Sequence, residues 1–153
     1  RGERINSPVN SNIDYGRRIS MNSNDGTVIA ITAPESNGNK GSAYVYQYDA
    51  STSTWNQMGR TLKGPKQGSY FGTGASLNGA GDLLAIGSRM EGSKQQGCGY
   101  VYKYDGGAQD WVKLGGDICG IANNEQFGSR ASLSNDSTDK LAIVAFGGIE
   151  FNN

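Results

Sequence analysis

Histidine is absent from the chain. That removes imidazole acid–base catalysis, histidine metal ligation and serine–histidine–aspartate triads together. Neither sign of charge is in excess: Lys plus Arg and Asp plus Glu are each 14, so formal net charge is zero. There is therefore no basic footprint for a nucleic acid, and no block of like charge marks a tail. No apolar run approaches the roughly 18 residues of a membrane-spanning helix, so no transmembrane segment is expected. The first residues, RGERINSPVNSN, contain no hydrophobic signal-peptide core.

Hydrophobic residues are also scarce, at 35% of 153, while glycine reaches 24. Low hydrophobicity can mean disorder, but disorder would lack the spaced Tyr, Trp and Leu-Ala-Ile runs found here. A chain rich in Gly, Ser and Asn with short apolar runs reads as all-β with many turns. Its length suffices for one domain with a real core.

What the chain does contain is a repeat. Gly16, Gly72 and Gly128 are spaced by steps of 56, and the same step carries Tyr44-Val45-Tyr46 onto Tyr100-Val101-Tyr102, Trp55 onto Trp111 and Gly59 onto Gly115. It also carries Ser76-Leu77 onto Ser132-Leu133. Ala30-Ile31 maps onto Ala85-Ile86 one residue short, a slip that a hairpin turn tolerates.

Each unit reads as four short strands. In the first, residues 16–21 form a strand, Asn22-Ser23-Asn24-Asp25-Gly26 a turn, and residues 27–32 a β-branched strand. A loop over 34–40 leads to 42–49, whose alternation puts Tyr44, Tyr46 and Tyr48 on one face and Ala43, Val45 and Gln47 on the other. Residues 55–62 form the fourth strand. The organisation expected is a stray closing strand and linker over 1–13, repeat 1 over 14–64, repeat 2 over 70–120 and a partial repeat 3 over 126–153. In the third unit a turn over 134–140 precedes Leu141-Ala142-Ile143 as second strand, and Ile149-Glu150-Phe151 is a truncated third.

Four antiparallel strands in about 56 residues, repeated in tandem, point to β-propeller blades. A β-sandwich of about twelve strands is the alternative, although sandwiches need no internal repeat. At most three units are present, whereas propellers have at least four blades. The ring is thus incomplete: the chain is a fragment, associates with further copies of itself, or docks on another protein chain that covers its open edges.

The spaced motifs carry a family likeness. Phe71-Gly72 and Phe127-Gly128 (Tyr15-Gly16 in the first unit) are followed by Ser-Leu, a polar turn, Leu-Ala-Ile-Gly, Gly-x-Val-Tyr and Trp-x-x-Leu-Gly. Over about residues 13–151 this resembles FG-GAP-type propeller repeats, those of integrin α-subunit heads and of many secreted or surface proteins. The resemblance implies a non-enzymatic propeller used outside the cell for adhesion or assembly. Such repeats often carry a calcium loop of the Asp-x-Asp-x-Asp-Gly type. Here the equivalent turns, Asn22-Ser23-Asn24-Asp25-Gly26, Asn78-Gly79-Ala80-Gly81-Asp82 and Asn135-Asp136-Ser137-Thr138-Asp139, hold at most two carboxylates each. They read as hairpin turns, with calcium the secondary possibility and no other cofactor expected.

Cys98 and Cys119 are the only cysteines. If the strands around Tyr100 and Trp111 pair across a turn near Gly106-Gly107, the two thiols come close. A disulfide would close a loop of about 20 residues, contribute roughly 3 kcal/mol and require an oxidising compartment. The alternative is two free thiols. Asn135-Asp136-Ser137 is the one N-glycosylation sequon, in an expected exposed turn, making Asn135 the candidate acceptor. The aromatic rows read as packing between units, with glycan stacking as the alternative. Asp49 and Asp105 read as turn formers rather than paired catalytic carboxylates. Arg17-Arg18 and Arg130 sit beside the Gly pair of their units as candidates for charge pairs or a partner surface.

No catalytic residue stands out. The expected function is a non-enzymatic extracellular or cell-surface module for protein–protein binding, adhesion or structural assembly. Two alternatives remain: an accessory structural subunit of a larger complex, for instance in an organelle lumen, or a propeller glycosidase or lyase using Asp or Glu.

Overall fold

A computed structural model describes residues 2–8, 14–134 and 143–148. The fold is all-β, built from three antiparallel sheets taken up in chain order. The first contains β1 (Ile19–Met21), β2 (Val28–Ala33), β3 (Ser42–Asp49) and β4 (Thr54–Gln57), paired in that order, with β5 (Leu62–Lys63) returning to the start of β3. The second contains β6 (Phe71–Leu77), β7 (Leu83–Ser88), β8 (Cys98–Asp105) and β9 (Asp110–Cys119), also in order. The third is the hairpin of β10 (Arg130–Leu133) and β11 (Val144–Gly147).

Burial explains the composition of the strands. All six residues of β2 (VIAITA) and all six of β7 (LLAIGS) are buried, because these inner strands are covered on both faces. From β2 and β3, Val28, Ala30, Ala43 and Val45 join Leu84, Ile86, Tyr100, Tyr102 and Trp111 of the second sheet in one core. The small face of one sheet thus receives the aromatic face of the next. On the other face of the first sheet, Ile29, Ile31, Tyr44 and Tyr46 form a second cluster, with Ile5, Tyr15 and Trp55 against it.

The contacts from the first sheet to the second recur from the second to the third. The backbone N–H of Leu77 donates to Ser20 Oγ at 2.9 Å, and that of Leu133 donates to Ser76 Oγ at 3.0 Å. At Gly41 (φ 85°) an added Cβ would fall 2.1 Å from the Phe71 carbonyl oxygen. At Gly97 (φ 78°) it would fall 2.1 Å from that of Phe127. Only glycine fits so close a backbone approach at positive φ.

Several sequence expectations are corrected. Residues 2–8 form no strand: Glu3 N–H donates to the Ser53 carbonyl at 3.3 Å, and Ile5 packs on the Tyr44 cluster. With one apolar residue among exposed polar ones, this stretch has no alternating face to pair. The fourth strand of the first unit is split into β4 and β5, with Gly59 at φ 75° between them. Within the loop over 34–40, Ser36–Asn39 makes a helical turn with Asn37 and Gly38 left-handed.

In the third unit, Val144-Ala145-Phe146-Gly147 takes the place assigned to Leu141-Ala142-Ile143. Leu133 pairs with Val144 as Leu77 pairs with Leu84, and Ser132 with Ala145 as Ser76 with Ala85. Ser134 Oγ accepts the Ile143 N–H at 3.0 Å, much as Asn78 Oδ1 accepts that of Leu83. Ile149, Glu150 and Phe151 lie outside the described residues.

Candidate functional site: an open sheet face beside a cysteine pair

β9 is the longest strand, and its two faces have different fates. Trp111 is buried against the first sheet, and Lys113 and Asp117 form an ion pair on the same side. Val112, Leu114 and Ile118 lie on the opposite side, with Val101 and Gly99 of β8 across from Leu114 and Ile118. These three apolar side chains are 47%, 43% and 44% exposed.

The first sheet shows what this face looks like when covered. Leu62, one step of 56 before Ile118, is only 3% exposed, enclosed with Tyr100, Tyr102 and Trp111 in the shared core. Met58, one step before Leu114, packs on that core and accepts the Trp111 indole N–H through its carbonyl at 2.8 Å. On the second sheet the β10–β11 hairpin covers only one end of the corresponding face. Phe146 lies there, its ring 2.6 Å from where a Cβ on Gly99 would sit.

The Cys98–Cys119 disulfide ties the end of β9 to the start of β8. The two residues are directly opposed in the ladder with Cα atoms 4.0 Å apart. Ser42 and Lys63 hold the same register in the first sheet without a bridge. Cys98 is buried and Cys119 exposed.

Electrostatics on the covered side favour a neutral, well-packed aromatic row. Burial pushes the Tyr102 hydroxyl up to about 12, and the nearby Asp117 charge adds to the effect. Tyr100 is raised further by burial and by donating its hydroxyl hydrogen bond to Glu91. Lys113 Nζ stands 5.5 Å from the centre of the Tyr100 ring.

The remaining sequence candidates fall into turns and packing. Asp49 Oδ1 accepts the Ser51 N–H at 2.8 Å and its hydroxyl at 2.6 Å, while Asp105 Oδ1 accepts the Gly107 N–H at 2.8 Å. Both therefore close hairpin turns. Asp25 is bonded by Asn22 Nδ2 and by Thr27, and those bonds hold its carboxyl below the usual range. Among the described residues no cluster of three or more metal-ligating side chains occurs. Tyr48 pairs with Trp55 at 5.3 Å between ring centres, and Tyr104 with Trp111 at 5.4 Å. Asn135 and the turn around it lie outside the described residues. Arg17, Arg18 and Arg130 come together around one cleft.

The open row of Val112, Leu114 and Ile118 went unread in the sequence. Its signal was available: positions 58 and 114, and 62 and 118, are apolar in both units. No protein-family model matches the chain, and no curated protein matches it.

Proposed function

We propose that this chain is a non-enzymatic assembly module of FG-GAP-like propeller units, working outside the cell or at its surface, whose task is to bind protein. The observation that carries this reading is the uncovered row of Val112, Leu114 and Ile118, on a face where the first sheet buries Leu62 and half-buries Met58 at the matching positions of Ile118 and Leu114. The successive antiparallel sheets of five, four and two strands, with contacts that recur from one to the next, support the propeller reading. The disulfide supports an oxidising compartment. Among the described residues no helix is long and apolar enough to cross a membrane.

The occupant of the open face is a pair of β-strands from a protein chain, carrying aromatic side chains at alternate positions. Tyr100, Tyr102 and Trp111 do this work on the first sheet, so the same chemistry suits the second. The strands add beside β11 and place an indole or phenol over Leu114.

Native mass of the oxidised protein across a concentration series tests the proposal, beside a Leu114→Arg variant. Assembly with a second copy, or with a co-purifying chain, is expected for the parent and lost in the variant while the circular dichroism stays unchanged. A parent that remains monomeric at its highest soluble concentration and captures no chain would overturn it.

A further inference from the structure

A second feature shares no residue with the open face. Between the ends of the three sheets lies a cleft of about 220 Å³, to which all three contribute arginine. Arg17 and Arg18 precede β1, Arg89 follows β7, and Arg130 begins β10. We propose that this cleft binds a small dicarboxylate anion.

Arg17 pairs with Asp14 at 3.3 Å, so these two cancel. Among the described residues, Arg18, Arg89 and Arg130 then face one further lining carboxylate, that of Glu35, leaving an excess of two positive charges. The chain as a whole is neutral, so this local excess does not follow from composition. Like charges held together repel and lower stability unless an anion joins them.

The arginines are also held in place before any ligand arrives. Arg18 Nε donates to the Thr73 carbonyl at 3.0 Å, which fixes its guanidinium at the wall. Arg89 is anchored by its backbone N–H to Thr73 Oγ1 at 3.2 Å, and its guanidinium lies 5.2 Å over the Tyr70 ring. Tyr70 itself takes φ 55°, a conformation a bulky aromatic residue rarely adopts, and it lines the cleft. The Nε of Arg89 is buried with no hydrogen-bond partner among the described residues. An unpaired guanidinium N–H of this kind is costly, and the Arg89 side chain that carries it is partly buried and lines the cleft.

Shape selects among anions. The guanidinium fork matches a planar carboxylate through two parallel N–H···O bonds. The Tyr70 ring and Pro34 supply apolar wall for a short carbon chain, and two carboxylates answer the two excess charges.

Calorimetric titration of the intact, disulfide-bonded chain with succinate, and separately with sulfate, tests this. Saturable binding of one succinate per chain is expected, weakening as salt is raised. Arg89→Gln and Arg130→Gln should each weaken it by about tenfold or more, the loss of one charge-assisted bond. Arg130→Lys, which keeps the charge without the fork, should fall between. Arg60→Gln, outside the cleft, should bind as the parent does, and thermal midpoints of all variants report that each is folded. No saturable succinate binding would overturn the proposal, as would sulfate binding as tightly as succinate, or folded Arg89 and Arg130 variants that bind like the parent. The open-face proposal is read by native mass, so either can fail alone.

Discussion

Across the boundary between the first two sheets, the Trp111 indole N–H donates to the Met58 carbonyl at 2.8 Å while its ring system is completely buried. The bond joins strand β9 to the segment between β4 and β5 of the preceding sheet. Beside it, Arg60 donates to Asp110 at 2.9 Å through its guanidinium and again through its backbone N–H. Both contacts lock the edge strand of one sheet onto its neighbour.

Trp111→Ala should therefore destabilise the fold by about 3–5 kcal/mol, the range for removing a buried aromatic side chain. Trp111→Phe keeps most of the packing but orphans the Met58 carbonyl, and should cost about 1–3 kcal/mol. Trp55 is only half-buried and packs at the opposite face of the first sheet, so Trp55→Ala should cost clearly less than Trp111→Ala. Urea denaturation of the three variants gives the ranking directly.

The Cys98–Cys119 bridge closes a separation of 21 residues within one sheet. Because Ser42 and Lys63 hold the equivalent register unaided, the reduced protein should keep its fold. It should nonetheless lose about 2–4 kcal/mol. Exposed Cys119 leaves the bond open to reductant. Denaturation curves with and without dithiothreitol, against a Cys98→Ser/Cys119→Ser double variant, check both statements. A reduced chain without a cooperative transition would contradict them.

High pH should weaken the fold through its buried tyrosines. Burial raises Tyr102 from about 10 to about 12, and raises Tyr15 and Tyr100 in the same direction. In the unfolded chain these phenols ionise near the ordinary value, so above it the unfolded state binds fewer protons than the folded one. Their contribution is complete below pH 10 or so and falls as pH rises through the folded value near 12. Urea midpoints should be flat up to the lower limit and decline above it. Part of the phenolate absorbance, that of Tyr15, Tyr100 and Tyr102, should appear only above the ordinary value. A single step at the ordinary value would show that the row is not shielded.

The strand order within each sheet was legible in the primary structure, because β residues at period 2 and turn residues at fixed offsets act over a few positions. Tyr44 and Tyr46 do share a face, opposite Ala43 and Val45. Local signals failed where a neighbour was needed to complete them. Leu141-Ala142-Ile143 matched the Leu-Ala-Ile motif, yet the ladder to β10 selected Val144-Ala145-Phe146-Gly147, which sets Phe146 against Gly99. Residues 2–5 resembled a closing strand, but no alternating apolar face existed to hold them in a sheet.

Which face each sheet would bury, and where three arginines from separate units would meet, lay beyond the order of residues. Leu62 and Ile118 occupy matching places in their units, and only the packing of the next sheet makes one buried and the other exposed. Arg18, Arg89 and Arg130 are far apart along the chain and gather at one cleft because successive sheets stack in the same relation. Periodicity and turn chemistry are properties of short segments and could be read one residue at a time. Burial and the pooling of like charge are properties of surfaces brought together, and only the tertiary structure decided them.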